Sequence, residues 1–592
     1  MHHRPSVQLC TALCALLLSL PVAALDTIDP ADIRPGMKGY GLTVFAGTRI
    51  EKFDVEVVDV VPNFMLRQDI ILIKCHHPVT DHAGVIGGMS GSPIYLGGKL
   101  AGALAYGWTF SRDALAGVTP ISAMTDLLKR KVRTLPRRPR TDATALLTDP
   151  LRWIREMAAD TFFGKFAARP ESRLVPSRNP ISLSGFSGAA RDMMEETLAP
   201  FGLDAVESGG GGRGNDSGPD AFFPGAPIGV QLIRGDLSAT GIGTVTAVDG
   251  NHVLAFGHPM FNMGEGNLPV TSAVIHTVVA SLARSNKMGS PLKELGSLVQ
   301  DRNAAIVART DLRAATVPVS LVVRDGRSGR ADTYRVEVAE RQWLTGRLIH
   351  AALVQFVTHA ASDVADMTVE VKGRVKIAGR APITLDDAGV SRSGLPPLVG
   401  GFRPASFVHA VLNNPFEDTA VDWVELDVTL HYGLDAATLS GLYLTSESPA
   451  AGDEINLHAR LISFGGKETI LTVPLRIPAD AEGRKLKISA AGGGDARIPL
   501  PAPENLDDLI NNLRRYHPAR SLVVTVETEA ESLTVRGNTL DDLPASAVSS
   551  LKPVAGDDQS GKFRAMRTDV IPTNLLISGQ QSIQVTPRKR SN

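Results

Sequence analysis

The sequence predicts a mainly β protein of several domains. Three observations carry that reading. Runs rich in Val, Thr and Ile alternate with polar residues, as in FDVEVVDVV (53–61), VPVSLVVRD (317–325) and MTVEVKGRVKI (367–377). That period of two belongs to strands with one buried face. Glycine at 56 positions and proline at 38 supply turns at short intervals. A chain of 592 residues exceeds what one hydrophobic core can serve, which implies roughly three to four domains. The formal charge of −1 offers no basic surface for nucleic acid.

The N-terminus reads as a signal peptide over residues 1–24. His2, His3 and Arg4 precede the apolar run LCTALCALLLSLPVAA, which ends in the small residues Val22-Ala23-Ala24. A periplasmic or secreted location is the expectation. Cys10 and Cys14 would leave with that segment, and Cys75 alone cannot form an intramolecular disulfide.

Residues 25–133 form the first unit. GLTVFAG (41–47), residues 53–61, DIILIKC (69–75), PIYL (93–96) and KLAGALAYGW (99–108) read as strands, with Gly97-Gly98 as a hairpin turn. Asp54 and Glu56 alternate as on a solvent-facing edge strand. Residues 121–132 read as a closing helix, capped by Thr119, with Pro120 in its first turn and basic residues at its end. His76, His77 and His82 match no zinc spacing, so neither a metal nor a cofactor is expected.

Residues 134–221 connect this unit to the next. LPRRPR (135–140) is a basic linker, residues 149–169 carry helical spacing, and residues 189–198 suggest a short helix. The Gly-rich stretch 207–220 lacks the Gly-Lys-Ser/Thr of a phosphate loop and reads as a linker. Residues 222–309 form a second β unit, with strands at 227–235, 241–248 and 252–258 and a VDGNH hairpin turn. Arg234-Gly235-Asp236 is read as a chance tripeptide. An α+β region (310–415) and a β-rich C-terminal domain (416–592) with sandwich-like strand spacing complete the chain. Neither carries a chemical constellation, and the C-terminal domain is expected to be structural or to bind an envelope-protein partner.

Two short blocks carry chemistry. In Gly88-Met89-Ser90-Gly91-Ser92-Pro93 a serine stands between glycines on a bare backbone. The N–H groups of Gly88 and Ser90 could converge on one point, as an oxyanion hole requires. The same residues also suit a tight turn whose glycines supply positive φ. In AFGHP (255–259), His258 has a side chain whose free pKa lies near neutrality, as a general base needs. It could equally be a histidine held by turn hydrogen bonds beside Pro259.

GMSGSP resembles the nucleophile loop of the SpoIVB-type serine peptidases and, more distantly, the chymotrypsin-like Gly-Asp-Ser-Gly-Gly-Pro, where Ser92 falls on the second glycine. Residues 241–260 (GIGTVTAVDGNHVLAFGHPM) resemble that family's other signature. The resemblance implies Ser90 as nucleophile, His258 as base, and a chymotrypsin-like two-barrel core. The serine block comes first here, whereas that family places histidine first, so the two half-barrels are expected in permuted order. Where the family carries its aspartate this chain has Cys75; Asp69, Asp81 and Asp249 are the nearby candidate acids. The implied activity is that of an exported serine endopeptidase acting on protein or peptide substrates. Two alternatives stand beside it: an inactive envelope scaffold or peptide-binding protein that keeps the fold, and an esterase or acyl transferase using the same pair.

Overall fold

The computed structural model describes residues 25–65, 68–108, 110–130, 174–176, 180–209, 218–361, 365–391, 403–496, 498, 503–535, 538–540, 546–547, 549–550 and 560–589. The expected signal peptide, the 135–140 linker and the helical stretch 149–169 lie outside them. The architecture is mainly β and holds a two-barrel core of chymotrypsin-like type. Among the described residues no helix is long and apolar enough to cross a membrane.

The first barrel consists of β1 (Lys38–Thr43), β2 (Glu51–Met65), β3 (Gln68–His76), β4 (Pro93–Leu96), β5 (Lys99–Trp108) and β6 (Leu115–Pro120). Their order β4-β1-β2-β3-β6-β5 closes through a β4–β5 pairing. Inward residues Phe53, Val55, Val57, Ile71, Ile73, Ile94 and Leu104 fill it. Asp54 and Glu56 do face solvent, but β2 pairs with both β1 and β3 and is therefore no edge. Alternation shows which face is wet; it cannot show whether a strand has one partner or two.

Two short helices flank the barrel: α1 (Pro78–Ala83) and α2 (Ile121–Thr125). The closing helix expected over 121–132 is thus only a short turn of helix, and Thr119 does not cap it. Thr119 sits within β6, opposite Ala103, and its hydroxyl donates to the Gly257 carbonyl at 2.6 Å. A long-range partner in the second barrel has replaced the local cap.

Strand β7 (Leu174–Pro176) pairs with β5, and β8 (Pro180–Ser184), α3 (Gly188–Leu198) and β9 (Asp204–Glu207) follow. The second barrel then runs β10 (Pro227–Gly235), β11 (Ser238–Asp249), β12 (His252–Ala255), β13 (Gly264–Val279), β14 (Asn286–Arg302) and β15 (Ala305–Arg309). It closes in the ring β10-β13-β14-β15-β12-β11 through the β10–β11 pairing.

Beyond it, β16 (Thr316–Asp325), β17 (Ala331–Ala339), α4 (Thr345–Ala360), β18 (Met367–Ile377), β19 (Ile383–Ser391), α5 (Arg403–Leu412) and β20 (Val421–Tyr432) build a mixed sheet. It joins the second barrel through β17 and β10. β20 pairs with β16 and β18, so this unit extends past the expected boundary at 415. The alternation in β20 is the same as in the strands that follow, and only its partners reveal its sheet. The C-terminal strands form a four-stranded and a five-stranded sheet around one shared core, with Leu439, Leu457 and Leu475 facing Ile488, Leu522 and Val524. That is the expected sandwich.

The two barrels meet over a small apolar seam. Leu100, Ala103, Ile121 and Met124 of the first pack against Ala247, Leu254, Ala305 and Val307 of the second. The serine and histidine loops both lie along this contact.

Candidate active site

The loop 84–92 enters from α1 and leaves into β4, and its own sequence gives it little regular structure. Its turns need glycine: Gly88 has φ +94° and Gly91 φ +98°. A Cβ on Gly91 would stand 1.9 Å from the Thr244 carbonyl oxygen and 2.5 Å from the Phe256 nitrogen, so no side chain fits there. The second barrel holds the loop on two sides. Thr244 donates from Oγ1 to the Gly88 carbonyl (2.9 Å) and from its N–H to the Ser90 carbonyl (2.8 Å), while Thr246 Oγ1 donates to the Gly91 carbonyl (2.7 Å). On the other side Gly87 and β14 exchange backbone bonds: Gly87 N–H to the Ser285 carbonyl (2.8 Å) and Lys287 N–H to the Gly87 carbonyl (2.9 Å).

These contacts bring Ser90 Oγ to 3.0 Å from His258 Nε2. His258 Nδ1 lies 2.7 Å from the Pro259 carbonyl oxygen. A carbonyl oxygen can only accept, so the proton sits on Nδ1 and Nε2 is left to accept from the Ser90 hydroxyl. The turn-held histidine and the serine-bonded histidine are therefore the same side chain. Both residues are buried, Ser90 fully and His258 to within 1%. The bare backbone of this loop does not expose the hydroxyl, because the second barrel covers the loop.

The histidine loop is itself conformationally unusual. Phe256 (φ 71°) and Asn262 (φ 55°) lie on either side of His258 in the left-handed region, where non-glycine residues are uncommon. The Gly257 carbonyl is held by Thr119, and the N–H groups of Met260 and Phe261 are held by the buried carboxylate of Asp301 at 2.8 and 2.7 Å. Tyr106 and Phe256 flank the imidazole, with ring centroids 6.5 and 6.2 Å away. Burial pushes the Tyr106 hydroxyl up to about 12, so it stays neutral beside the pair.

The three candidate acids are scattered. Asp69 accepts the Asn63 N–H (2.7 Å) where β2 and β3 meet. Asp81 lies in α1, and Asp249 stands opposite His252 where β11 and β12 turn. None of them bonds to His258. Cys75, at the position of the family's aspartate, is buried, and burial followed by the Asp81 charge pushes its thiol up to about 12. It supplies neither a charge nor a nucleophile. His77 caps α1, accepting the Val79 N–H (3.2 Å), and stacks on Phe45. Among the described residues no cluster of His, Cys, Asp and Glu could hold a metal. The N–H groups of Met89, Gly91 and Ser92 are engaged by the carbonyls of Ile86, Leu104 and Met89.

Residues 25–119 match the SpoIVB peptidase S55 family. The match spans the first barrel nearly to the end of β6 and contains Ser90; it stops before the histidine loop. It shows the SpoIVB-type resemblance of the serine block and supports a peptidase, a hydrolase acting on proteins, in general terms. No curated protein and no solved structure matches the chain.

Sequence reading missed Thr244, Thr246, Asp301 and Lys287, all in the second barrel. Single polar residues within strand patterns carry no local signal of what they grip across 150 residues or so of chain. Only Asp301 left a trace, as an aspartate in the run SLVQDRNAAIVA (297–308), otherwise a strand pair with a turn.

Proposed function

We propose that the protein is an exported serine endopeptidase of SpoIVB type, with Ser90 as nucleophile and His258 as general base. The observation that carries this reading is the Ser90 Oγ to His258 Nε2 contact at 3.0 Å in the required tautomer. A serine hydroxyl becomes a competent nucleophile when an adjacent base takes its proton. His258 would accept it as Oγ attacks the scissile carbonyl, then deliver it to the leaving amine, and water would hydrolyse the acyl-enzyme by the same route. The Gly88 and Ser90 N–H groups are assigned the oxyanion. The permuted order of the barrels, a periplasmic or secreted location, and an envelope partner for the sandwich domain belong to the same proposal.

One observation favours a second reading. Ser90 and His258 are both closed off from solvent, as suits an inactive scaffold or peptide-binding protein that keeps the fold. The experiment is a protein-substrate digest by wild type, Ser90→Ala and His258→Ala. Cleavage products present with wild type and absent with both variants support the peptidase. Identical digests from all three leave the scaffold, and hydrolysis of esters without peptides would point to an esterase.

A further inference from the structure

A peptide group stands at Nδ1 of the His258 ring. The Pro259 carbonyl accepts from Nδ1 at 2.7 Å. The other side of that same peptide is the Met260 N–H, which donates to Asp301 Oδ1 at 2.8 Å. The second carboxylate oxygen accepts from Phe261 N–H at 2.7 Å and Met263 N–H at 3.4 Å. We propose that Asp301 is the positioning acid of this site, acting on His258 through the Pro259–Met260 peptide.

The physical argument runs through the peptide's resonance. Its C–N bond has partial double-bond character, so its N–H and C=O ends are conjugated. A negative charge on the N–H side draws electron density toward the carbonyl oxygen and strengthens it as an acceptor; hydrogen bonds in a chain reinforce one another in this way. A stronger acceptor holds the proton on Nδ1 and stabilises the imidazolium formed when Nε2 takes the Ser90 proton. In that step the Oγ–H bond breaks, an Nε2–H bond forms, and the Oγ electron pair bonds to the substrate carbonyl carbon. Nδ1 keeps its proton throughout, and the peptide and Asp301 exchange none. Among the described residues, Tyr106 from β5 is a titratable side chain whose ring faces the imidazole, and it is uncharged.

Asp301 is fully buried. Burial pushes its carboxyl up, while the N–H groups of Phe261, Met260, Met263 and Asn262 pull the other way. An uncompensated buried carboxylate is costly, and here its compensation comes from the loop that carries the base. An asparagine could accept some of these bonds, but its NH2 group would then face a backbone N–H. The same carboxylate fixes a loop that runs through two non-glycine residues of positive φ, a strained path that persists only when its surroundings enforce it.

The proposal rests on the peptidase reading, but its test does not require turnover. Full-length protein labelled with 15N-histidine is titrated by NMR as wild type and as Asp301→Asn, with His258→Gln identifying the resonances. Asp301→Asn should lower the His258 midpoint by about one unit, a tenfold change in proton affinity, and move the Nδ1–H resonance upfield. In a peptidase assay the acid limb of kcat/KM should shift by the same amount. A folded Asp301→Asn protein whose His258 titrates as in wild type would overturn the proposal and leave Asp301 as a loop brace. Should that variant not fold, Asp301→Glu replaces it in the same titration, and a wild-type midpoint there, with the carboxylate displaced by a methylene, overturns it equally. Absence of cleavage by wild type would sink the peptidase reading while leaving this titration readable.

Discussion

Lys287 lies along Gly88: its Cβ and Cδ stand 3.1 Å from where a Gly88 side chain would begin, and its Nζ donates to Thr43 Oγ1 at 2.7 Å. One residue of the second barrel thus reaches under the serine loop to the end of β1. Gly88→Ala should be doubly unfavourable, through its φ of +94° and through contact with the Lys287 stem. A left-handed non-glycine residue costs about 1–3 kcal/mol. The expected result is a folded protein of lower denaturation midpoint and much reduced activity. Wild-type activity in Gly88→Ala would show that the loop tolerates a different path.

Lys287 also predicts a pH dependence of stability. Burial pushes its ammonium from 10.5 down to about 7. The unfolded chain therefore binds more protons than the folded one between those values, and stability rises with pH across that window. The contribution is complete above 10.5 and is lost as pH falls through about 7. Cys75 has the opposite sign, because its thiol is raised from 9.0 to about 12 and takes stability away above 9.0. The clean window is thus about pH 7 to 9. Across it wild type should gain about 2–3 kcal/mol, at about 1.4 kcal/mol per unit. Lys287→Met should be more stable than wild type at pH 7 and nearly flat over the window, as measured by urea denaturation. A wild type equally stable at pH 7 and 9 would contradict this.

Ser92 separates fold from chemistry within one loop. Its hydroxyl is buried and donates to the Met89 carbonyl at 2.7 Å, so it closes the turn that presents Ser90. Ser92→Ala should cost about 1 kcal/mol and retain most activity, while Ser90→Ala, which also removes a buried hydrogen bond, should cost a similar amount of stability and abolish activity. Equal activity losses in the two variants would mean that the loop is only a turn.

The difference between those two serines marks how far the sequence was legible. The Ser90 and His258 blocks stood out because glycine-rich loops and an isolated His-Pro interrupt otherwise regular strands. The strands follow from alternation, which reports a wet and a dry face; the two barrels come from the resemblance, and the sandwich from strand spacing. What alternation cannot report is pairing: it groups β20 with the strands that follow it and makes β2 look like an edge, whereas β20 pairs with β16 and β18 and β2 with β1 and β3. Nor can it report burial of a loop by a distant strand. The grip of Thr244 and Thr246, and the exchange of a helix cap for a Gly257 contact at Thr119, depend on tertiary partners far away in sequence. The candidate acids Asp69, Asp81 and Asp249 come from positions near the two blocks in sequence; Asp301 lies about forty residues beyond His258 and is bonded to the backbone N–H groups that follow it.

The closure of the site gives the last prediction. Ser90 and His258 are both buried, and the loop between Gly87 and Gly91 is held from both sides by β11 and β14. On the proposed peptidase reading, a substrate must wait for an opening of the seam between the barrels. Such an opening breaks the Thr244 and Lys287 contacts, and it is a local transition distinct from global unfolding. Labelling of Ser90 by a fluorophosphonate should then saturate with probe concentration, at the rate of opening. Thr244→Val, which removes the Oγ1 bond to the Gly88 carbonyl, should raise that plateau severalfold. A labelling rate that rises linearly with probe, unchanged by Thr244→Val, would mean that the serine is reached without opening. No labelling at any concentration, with Thr244→Val as silent as wild type, would favour the scaffold over the peptidase.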